Sequence, residues 1–378
     1  MAYNSGKGGH YYSLRTTSEA ISMKFDCTIV VIGTKESPVI NQSKLKVYNL
    51  VYKNLGFFQV MKDLKKVVDL ECPDVIHSFD EDAFFFGSLL SFVYKKPYIH
   101  TKCGGANPRI ALPKVNNLIL YSQENFKYYQ SSRRFKKANI QYIPNRVGTI
   151  NQNFYKINNL KSSIGIDSSK IFLIISRIDE SKKNDILQTI NLVKRLNIEG
   201  VKAKLIIVGV IQDDKTGEEI KTTVDSNIYL FTDDEYAINA SQLIDVADFV
   251  VGGGRSFMEA ASRGKIMLCP LKNSKYPLLI TEKNFDKAFN QNFSSRITID
   301  DFDPDENYQQ ISQALIDEKY ANEITKFIKS ASNKYFEIDS QLMKYCEIYS
   351  KIKYKPCFNI FDLTVQFFRL VFCNKLMF

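Results

Sequence analysis

Ile171-Phe172-Leu173-Ile174-Ile175-Ser176-Arg177-Ile178-Asp179-Glu180-Ser181-Lys182-Lys183 is an apolar run that ends in a loop bearing Arg177 and Lys182, five positions apart. A run of that length, too short for a buried helix and rich in Ile, predicts a strand buried on both faces of a parallel sheet. Fixed positive charge at the carboxyl end of such a strand marks a place where an anion is held. Further on, Asp248-Phe249-Val250-Val251 predicts a second buried strand, followed by Gly252-Gly253-Gly254-Arg255-Ser256 and a helix that begins near Phe257-Met258-Glu259-Ala260-Ala261. The two strand-to-helix turns together predict a phosphate cradle with a carboxylate beside it.

Outward from this pair, short apolar runs alternate with helical periodicity along the chain, the pattern of parallel α/β units. Strands are predicted in the first half at 27–32, 45–50, 75–78, 98–101 and 117–121. The pattern restarts at 171–175 and continues at 203–209, 228–231, 249–251 and 266–268. The segment between, Ile143-Pro144-Asn145-Arg146-Val147 and the polar stretch from Asn151 to Ser169, has the Pro and Asn content of a connector. The fold class is therefore α/β, with two Rossmann-like doubly wound domains at 1–146 and 147–350 and a terminal apolar segment at 351–378. Ligands of open α/β sheets sit at carboxyl strand ends, so chemistry is expected in a cleft between two such sheets.

Composition restricts the function classes without choosing one. The 378 residues carry a net charge of +10 and are 44% hydrophobic and 24% charged, which is globular and long enough for two cores. The basic balance admits nucleic acid, anionic lipid or an acidic substrate. No zinc-finger spacing, RNP-type pattern or Gly-Lys-Ser/Thr loop accompanies it, so nucleic acid is not expected as a partner. The seven cysteines form no C-x-x-C pair, and no leader-type segment opens the chain, which predicts a reduced, cytoplasmic protein.

In order and spacing, four features resemble the GT-B glycosyltransferases of family 4. They are the strand-Ser-Arg-x4-Lys turn, the Gly-rich turn with Glu-Ala-x-x-x-Gly-Lys over Glu259 to Lys265, the Ile-Pro-Asn-Arg-Val connector, and the early Gly8-Gly9 loop. The resemblance implies transfer of a sugar from a nucleotide-sugar, with retention of configuration, no cofactor and no obligatory metal. It implies that Arg177 and Lys182 grip the donor diphosphate, and that Gly253, Gly254, Arg255 and Ser256 form the turn whose amides meet the phosphates. It further implies that Glu259 binds the ribose and that Gly8 and Gly9 approach the donor from the other domain. His100 and Lys102, after a strand of the first domain, and His77, at another strand end, are candidates for acceptor or sugar contact.

Two departures from that pattern stand out. The position eight before Glu259, where many members carry a second glutamate, is Val251, and Arg255 is the candidate to fill part of its role. Before the glycine loop, where a buried strand is expected, the chain offers only Met1-Ala2-Tyr3-Asn4-Ser5. A catalytically silent GT-B partner subunit and a GT-B nucleotide-sugar epimerase are therefore the competing readings. Asp301-Phe302-Asp303 fits a D-x-D metal motif but lies late in the chain, where Asp and Pro more simply start a helix.

The stretch from Phe358 to Phe378 is mostly large and apolar, with Asp362, Gln366 and Arg369 at helical spacing. Such a polar stripe predicts a helix in a membrane interface or packed on the first domain, rather than one that spans a bilayer. A glycan or lipid-linked acceptor and an anionic membrane surface are the expected partners, with peripheral attachment to the inner face of the cell membrane.

Overall fold

The computed structural model describes residues 7–33, 35–51, 57–79, 81–107, 113–165, 168–300, 302–356 and 359–368. The departure noted at the opening strand concerns Met1 to Ser5, which lie outside the described residues. The chain divides into two compact units, one formed by 1–146 with 338–378 and the other by 147–337.

Unit 2 holds a six-stranded sheet. In chain order the strands of the whole protein are β1 (Thr28–Gly33), β2 (Lys46–Val51), β3 (Ile76–Phe79), β4 (Tyr98–Lys102), β5 (Asn117–Leu120), β6 (Asn139–Tyr142), β7 (Lys170–Ile175), β8 (Ala203–Val208), β9 (Ile228–Phe231), β10 (Phe249–Val251), β11 (Ile266–Cys269) and β12 (Leu278–Leu279). The unit 2 order is β12-β11-β10-β7-β8-β9, parallel except for the antiparallel edge strand β12. Every residue of β8, β10 and β11 is buried, as expected of strands covered by helices on both faces. Phe172 of β7 stacks on Phe249 of β10, ring centroids 4.8 Å apart, in the register that sets Ile174 beside Val251.

The order places β8 and β9 on one side of β7 and β10 and β11 on the other. The chain thus reverses direction of travel across the sheet between β7 and β10. This is the topological switch point, where the loops leaving two adjacent strands diverge and open a crevice.

Unit 1 has a four-stranded parallel sheet, β3-β4-β5-β6, and a parallel pair, β1-β2. Its core is completed by residues from the far end of the chain. Ile338, Leu342, Tyr345 and Ile348 pack with Ile99, Ile119, Tyr121 and Ile143 in one buried cluster. Residues 338–350, expected with the second domain, therefore belong with the first. The helix Ile360–Phe368 also packs here, through Leu363 and Phe367 against the cluster of Phe85, Phe86 and Leu90.

One expected loop proves to be regular structure, and one expected helix start is found. The polar stretch read as a connector carries the helix Phe154–Ile164, whose start is capped by Asn153 and whose end turns on Gly165 at φ 59°. Of the late acidic pair, Asp301 lies outside the described residues, and the Asp303 side chain accepts from the amides of Asp305 and Glu306 and caps the helix Pro304–Ile316. The chain leaves and re-enters unit 1 at neighbouring points, because Val147 donates to the Phe336 carbonyl at 2.9 Å and bridges Glu337.

Candidate active site

The sequence-predicted residues fall into two sets, one on each unit. On unit 2, both predicted turns leave the carboxyl ends of the strands that flank the switch point. After β7, Ser176 and Ile178 continue the parallel pairing by donating to the Val208 and Val210 carbonyls, each at 3.0 Å. This fixes the backbone on either side of Arg177. A Cβ on Gly209 would fall 1.7 Å from the Ser176 carbonyl oxygen, so the neighbouring turn can lie this close only with glycine there.

Arg177 is partly exposed and reaches Asp179 at 3.5 Å. Lys182 lies in the first turn of the helix Glu180–Ile198 and donates to Asp185 Oδ2 at 2.8 Å. Asp185 is buried, so it draws the Lys182 ammonium back along the helix and leaves the lysine side chain only partly exposed. Neither carboxylate was anticipated from sequence. The i, i+3 spacing of Lys182 and Asp185 was the available signal, although such pairs usually lie on solvated faces.

After β10, the glycines are required by geometry. Gly254 has φ 58° and ψ −123°, a conformation strained for any side chain, and donates to the Asn292 carbonyl at 2.9 Å. A Cβ on Gly253 would stand 2.5 Å from the Phe293 carbonyl oxygen. A Cβ on Gly252 would stand 3.1 Å from the amide nitrogen of Phe257, in the space before the first turn of the helix Arg255–Ser262. Gly253 and Gly254 thus let the turn pack on the 292–293 backbone, and Gly252 adds no side chain over the first turn of the helix, whose amides and positive dipole end attract anions.

On that helix, Ser256 Oγ donates to the Gly253 carbonyl at 3.1 Å and so shapes the turn. Arg255 Nε donates to Glu259 Oε1 at 2.7 Å, with both side chains nearly enclosed. The carboxylate expected to meet a ribose is therefore already held by a guanidinium one turn away.

The two turns are joined behind the site. Cys269, the last residue of β11, donates through Sγ to the same Phe293 carbonyl that crowds Gly253, at 2.9 Å. Burial pushes the Cys269 thiol well up, the negative charge of Asp185 adds to this, and Lys182 opposes it. The cation turn and the glycine turn thus back onto one buried thiol. Among the described residues Cys27, Cys72, Cys269 and Cys346 take part in no disulfide.

On unit 1, Gly8 caps the helix Gly9–Ile21 in extended conformation, with no side-chain cap. A Cβ on Gly8 would meet only the His10 ring, at 3.1 Å, which can move. His100 is buried in β4, its Nδ1 2.8 Å from Ser78 Oγ and its ring edge-on to Phe84. His77 has Nδ1 2.5 Å from the Tyr349 hydroxyl and Nε2 2.7 Å from Thr101 Oγ1. Burial, and after it the neighbouring His100, lowers the His77 pKa to about 3, so the ring is neutral. Its contacts tie the helix Leu342–Lys351 to the sheet. Lys102 is buried and donates to the Gly104 carbonyl, folding the Gly104-Gly105 loop back on itself.

No protein-family model matches the chain, and no curated protein sequence does. Solved structures match over nearly its whole length. HepE of Anabaena, in complex with UDP and glucose, is 14% identical over 93% of this chain and 98% of that one, with a TM-score of 0.66. WaaG, a glycosyltransferase involved in lipopolysaccharide biosynthesis, is 11% identical over 93% and 97%, with a TM-score of 0.58. The UDP-GlcNAc 2-epimerase from Neisseria meningitidis, bound to UDP-GlcNAc, is 14% identical over 88% and 96%, with a TM-score of 0.52. The chain thus has an α/β fold of the GT-B kind, two Rossmann-like units, as in the glycosyltransferases it resembles.

Proposed function

We propose that this protein is a glycosyltransferase of the family 4 kind, which moves a sugar from a nucleotide-sugar to a glycan or lipid-linked acceptor in cell-surface polysaccharide synthesis. The observation that carries the reading is the convergence of Arg177, Lys182 and the glycine-cleared helix N-terminus at the switch point between β7 and β10. The likeness to proteins solved with UDP, and with UDP and glucose, makes a UDP-sugar the first donor to test.

In this reading the diphosphate lies between the two turns. As the glycosidic bond to phosphate breaks, its electron pair goes to the leaving oxygen and negative charge grows there. Arg177 and Lys182, each paired with a carboxylate in the free protein, and the amides of the first helical turn are the groups that meet that charge in this reading, so they stabilise the transition state more than the ground state. Glu259 accepts from the ribose, with Arg255 steadying the carboxylate. On unit 1, Gly8 and Gly9 are the candidates for donor contact and His100, Lys102 and His77 those for acceptor or sugar contact, and the reaction proposed retains configuration without a metal.

The deciding experiment is a thermal-shift panel of nucleoside diphosphates, followed by assay of UDP-glucose and UDP-GlcNAc with and without acceptor. A ligand that binds the folded state alone raises the melting temperature by mass action. Stabilisation by UDP with acceptor-dependent UDP release supports the transferase. Conversion of UDP-GlcNAc to its 2-epimer without release favours the epimerase, to whose fold the chain is also similar. Absence of any nucleotide effect favours the silent subunit.

A further inference from the structure

The cations at the switch point of unit 2 are already engaged in the free protein. Arg177 faces Asp179 at 3.5 Å, Lys182 faces Asp185 at 2.8 Å, and Arg255 faces Glu259 at 2.7 Å, so that these pairs carry no net charge. A diphosphate that enters must compete with a carboxylate for each of them.

Burial decides how strong that competition is. The Arg177 side chain is 45% exposed, so water screens its pair and the link is weak. The Asp185 side chain is 6% exposed, one turn after Lys182 on the helix Glu180–Ile198. A carboxylate enclosed to this degree has lost its hydration, and the lysine makes its charge tolerable. That charge also reaches the back of the glycine turn. Burial, and after it Asp185, pushes up the Cys269 thiol, which bonds the Phe293 carbonyl behind Gly253.

Lys182 can engage a phosphate in two ways, and Asp185 opposes both. If the ammonium turns wholly to the phosphate, the enclosed carboxylate is left without its partner. If the ammonium bridges the two with its several donors, a second negative charge stays close behind it and repels the phosphate. In both cases part of the attraction is cancelled on entry and regained on departure.

We propose that Asp185, with Asp179 in a lesser part, is a release residue, which reclaims Lys182 from the bound diphosphate and so speeds departure of the nucleoside diphosphate product. The inference rests on the diphosphate reading given above. A tight hold on the leaving group helps the bond to break but slows turnover wherever product release limits the rate. A carboxylate that competes for the same lysine balances the two demands. Asp185 acts through Lys182, not on the substrate, and is therefore a positioning residue. Glu259 is set apart from this role, because in the same reading it binds the ribose.

Asp185→Asn and Asp179→Asn keep the shape and remove the charge, and asparagine still suits position 179, the residue before the helix. UDP and inorganic pyrophosphate, the second free of base and ribose contacts, are titrated into the full-length proteins by calorimetry, and UDP dissociation is followed by stopped flow. Asp185→Asn should bind both ligands at least about tenfold more tightly, mainly through slower dissociation, because no buried pair has to be disturbed. Asp179→Asn should tighten binding by no more than about fivefold, as befits an exposed pair. A merely structural role for Asp185 predicts the opposite sign, since a damaged fold binds less. Asp185→Ala removes the same charge by another route and should shift affinity in the same direction.

Lys182→Ala combined with Asp185→Asn leaves no buried charge bare and tests the premise. It should bind both ligands at least about tenfold more weakly than Asp185→Asn, as expected from losing a hydrogen bond to a charged group. Unchanged or weaker binding by Asp185→Asn and Asp185→Ala, with affinity still lost in the double variant, overturns the proposal and leaves the diphosphate site standing. A double variant that binds as well as Asp185→Asn overturns the Lys182 assignment and the proposal together.

Discussion

Arg255 and Glu259 form an almost enclosed ion pair, 2.7 Å from Nε to Oε1, across one turn of the helix that follows the glycine loop. A ribose that binds Glu259 must share this carboxylate with the guanidinium. Glu259→Gln keeps the shape but weakens a charge-assisted acceptor. It should raise the UDP dissociation constant with a smaller change in turnover, because the ribose contact is made in ground and transition states alike. Arg255→Gln leaves the enclosed carboxylate without its partner and should lower the melting temperature, whereas the double variant should recover part of the loss. Calorimetry and melts on the four proteins should give a coupling of about 0.5–3 kcal/mol, and additive costs would show that the two act separately.

Lys182 offers a way to separate chemistry from folding. Lys182→Ala should reduce turnover by ~10²-fold or more, by analogy with removal of one preorganised donor to a developing anion. It also leaves the buried Asp185 uncompensated, so it should melt earlier than the wild type. Lys182→Ala combined with Asp185→Asn should regain stability without regaining turnover. Arg177→Ala, on a more exposed side chain, should lose turnover with little change in melting. Wild-type rates at saturating donor in both single variants would remove the diphosphate assignment.

The glycine turn should tolerate no side chain at two positions. Gly253→Ala drives a Cβ against the Phe293 carbonyl oxygen, and Gly254→Ala forces a side chain onto a backbone at φ 58°. Each should cost on the order of 1–3 kcal/mol, read as a lower denaturant midpoint with an unchanged slope. Gly252→Ala should act differently, since its Cβ enters the space before the Phe257 amide. Its expected mark is weaker UDP binding on a protein that melts closer to the wild type.

His77 makes unit 1 sensitive to mild acid. Its folded pKa, lowered to about 3, lies below the unfolded value of 6.5, so between those limits the unfolded chain binds more protons. Stability from this site is complete above about pH 6.5 and falls as pH drops toward 3. The melting temperature should therefore fall between pH 7 and pH 5, and His77→Gln, which carries no titrating ring, should fall less over the same interval. Parallel melting curves for the two proteins would show that the ring does not govern this range.

Short apolar-rich runs made ten of the strands legible, most plainly those of the second sheet, where strands covered on both faces are almost wholly apolar. β6 and β12 were missed for opposite reasons. Asn139-Ile140-Gln141-Tyr142 lies on a sheet edge and is half polar, whereas Leu278-Leu279 is too short to show a period. Arg177, Lys182 and the glycines were legible because an anion site needs cations and bare backbone at strand ends. Asp185 and the Arg255–Glu259 pair were not, because a charge on a helix looks solvated until tertiary packing buries it. The docking of 338–351 on unit 1 was hidden as well. Leu342, Tyr345 and Ile348 specify an apolar stripe, and a stripe does not say which sheet it will cover.

The return of the chain to unit 1 has a consequence for its birth on the ribosome. Ile99, Ile119 and Tyr121 emerge early, yet Ile338, Leu342 and Tyr345, which cover them, emerge only after all of unit 2. At 5–20 residues per second, the intervening segment takes on the order of ten seconds to synthesise. Unit 2 is continuous in sequence and can close while still tethered. The amino-terminal half, made first, must be completed last, and until then its bare sheet is a surface that chaperones can hold and neighbouring nascent chains can capture.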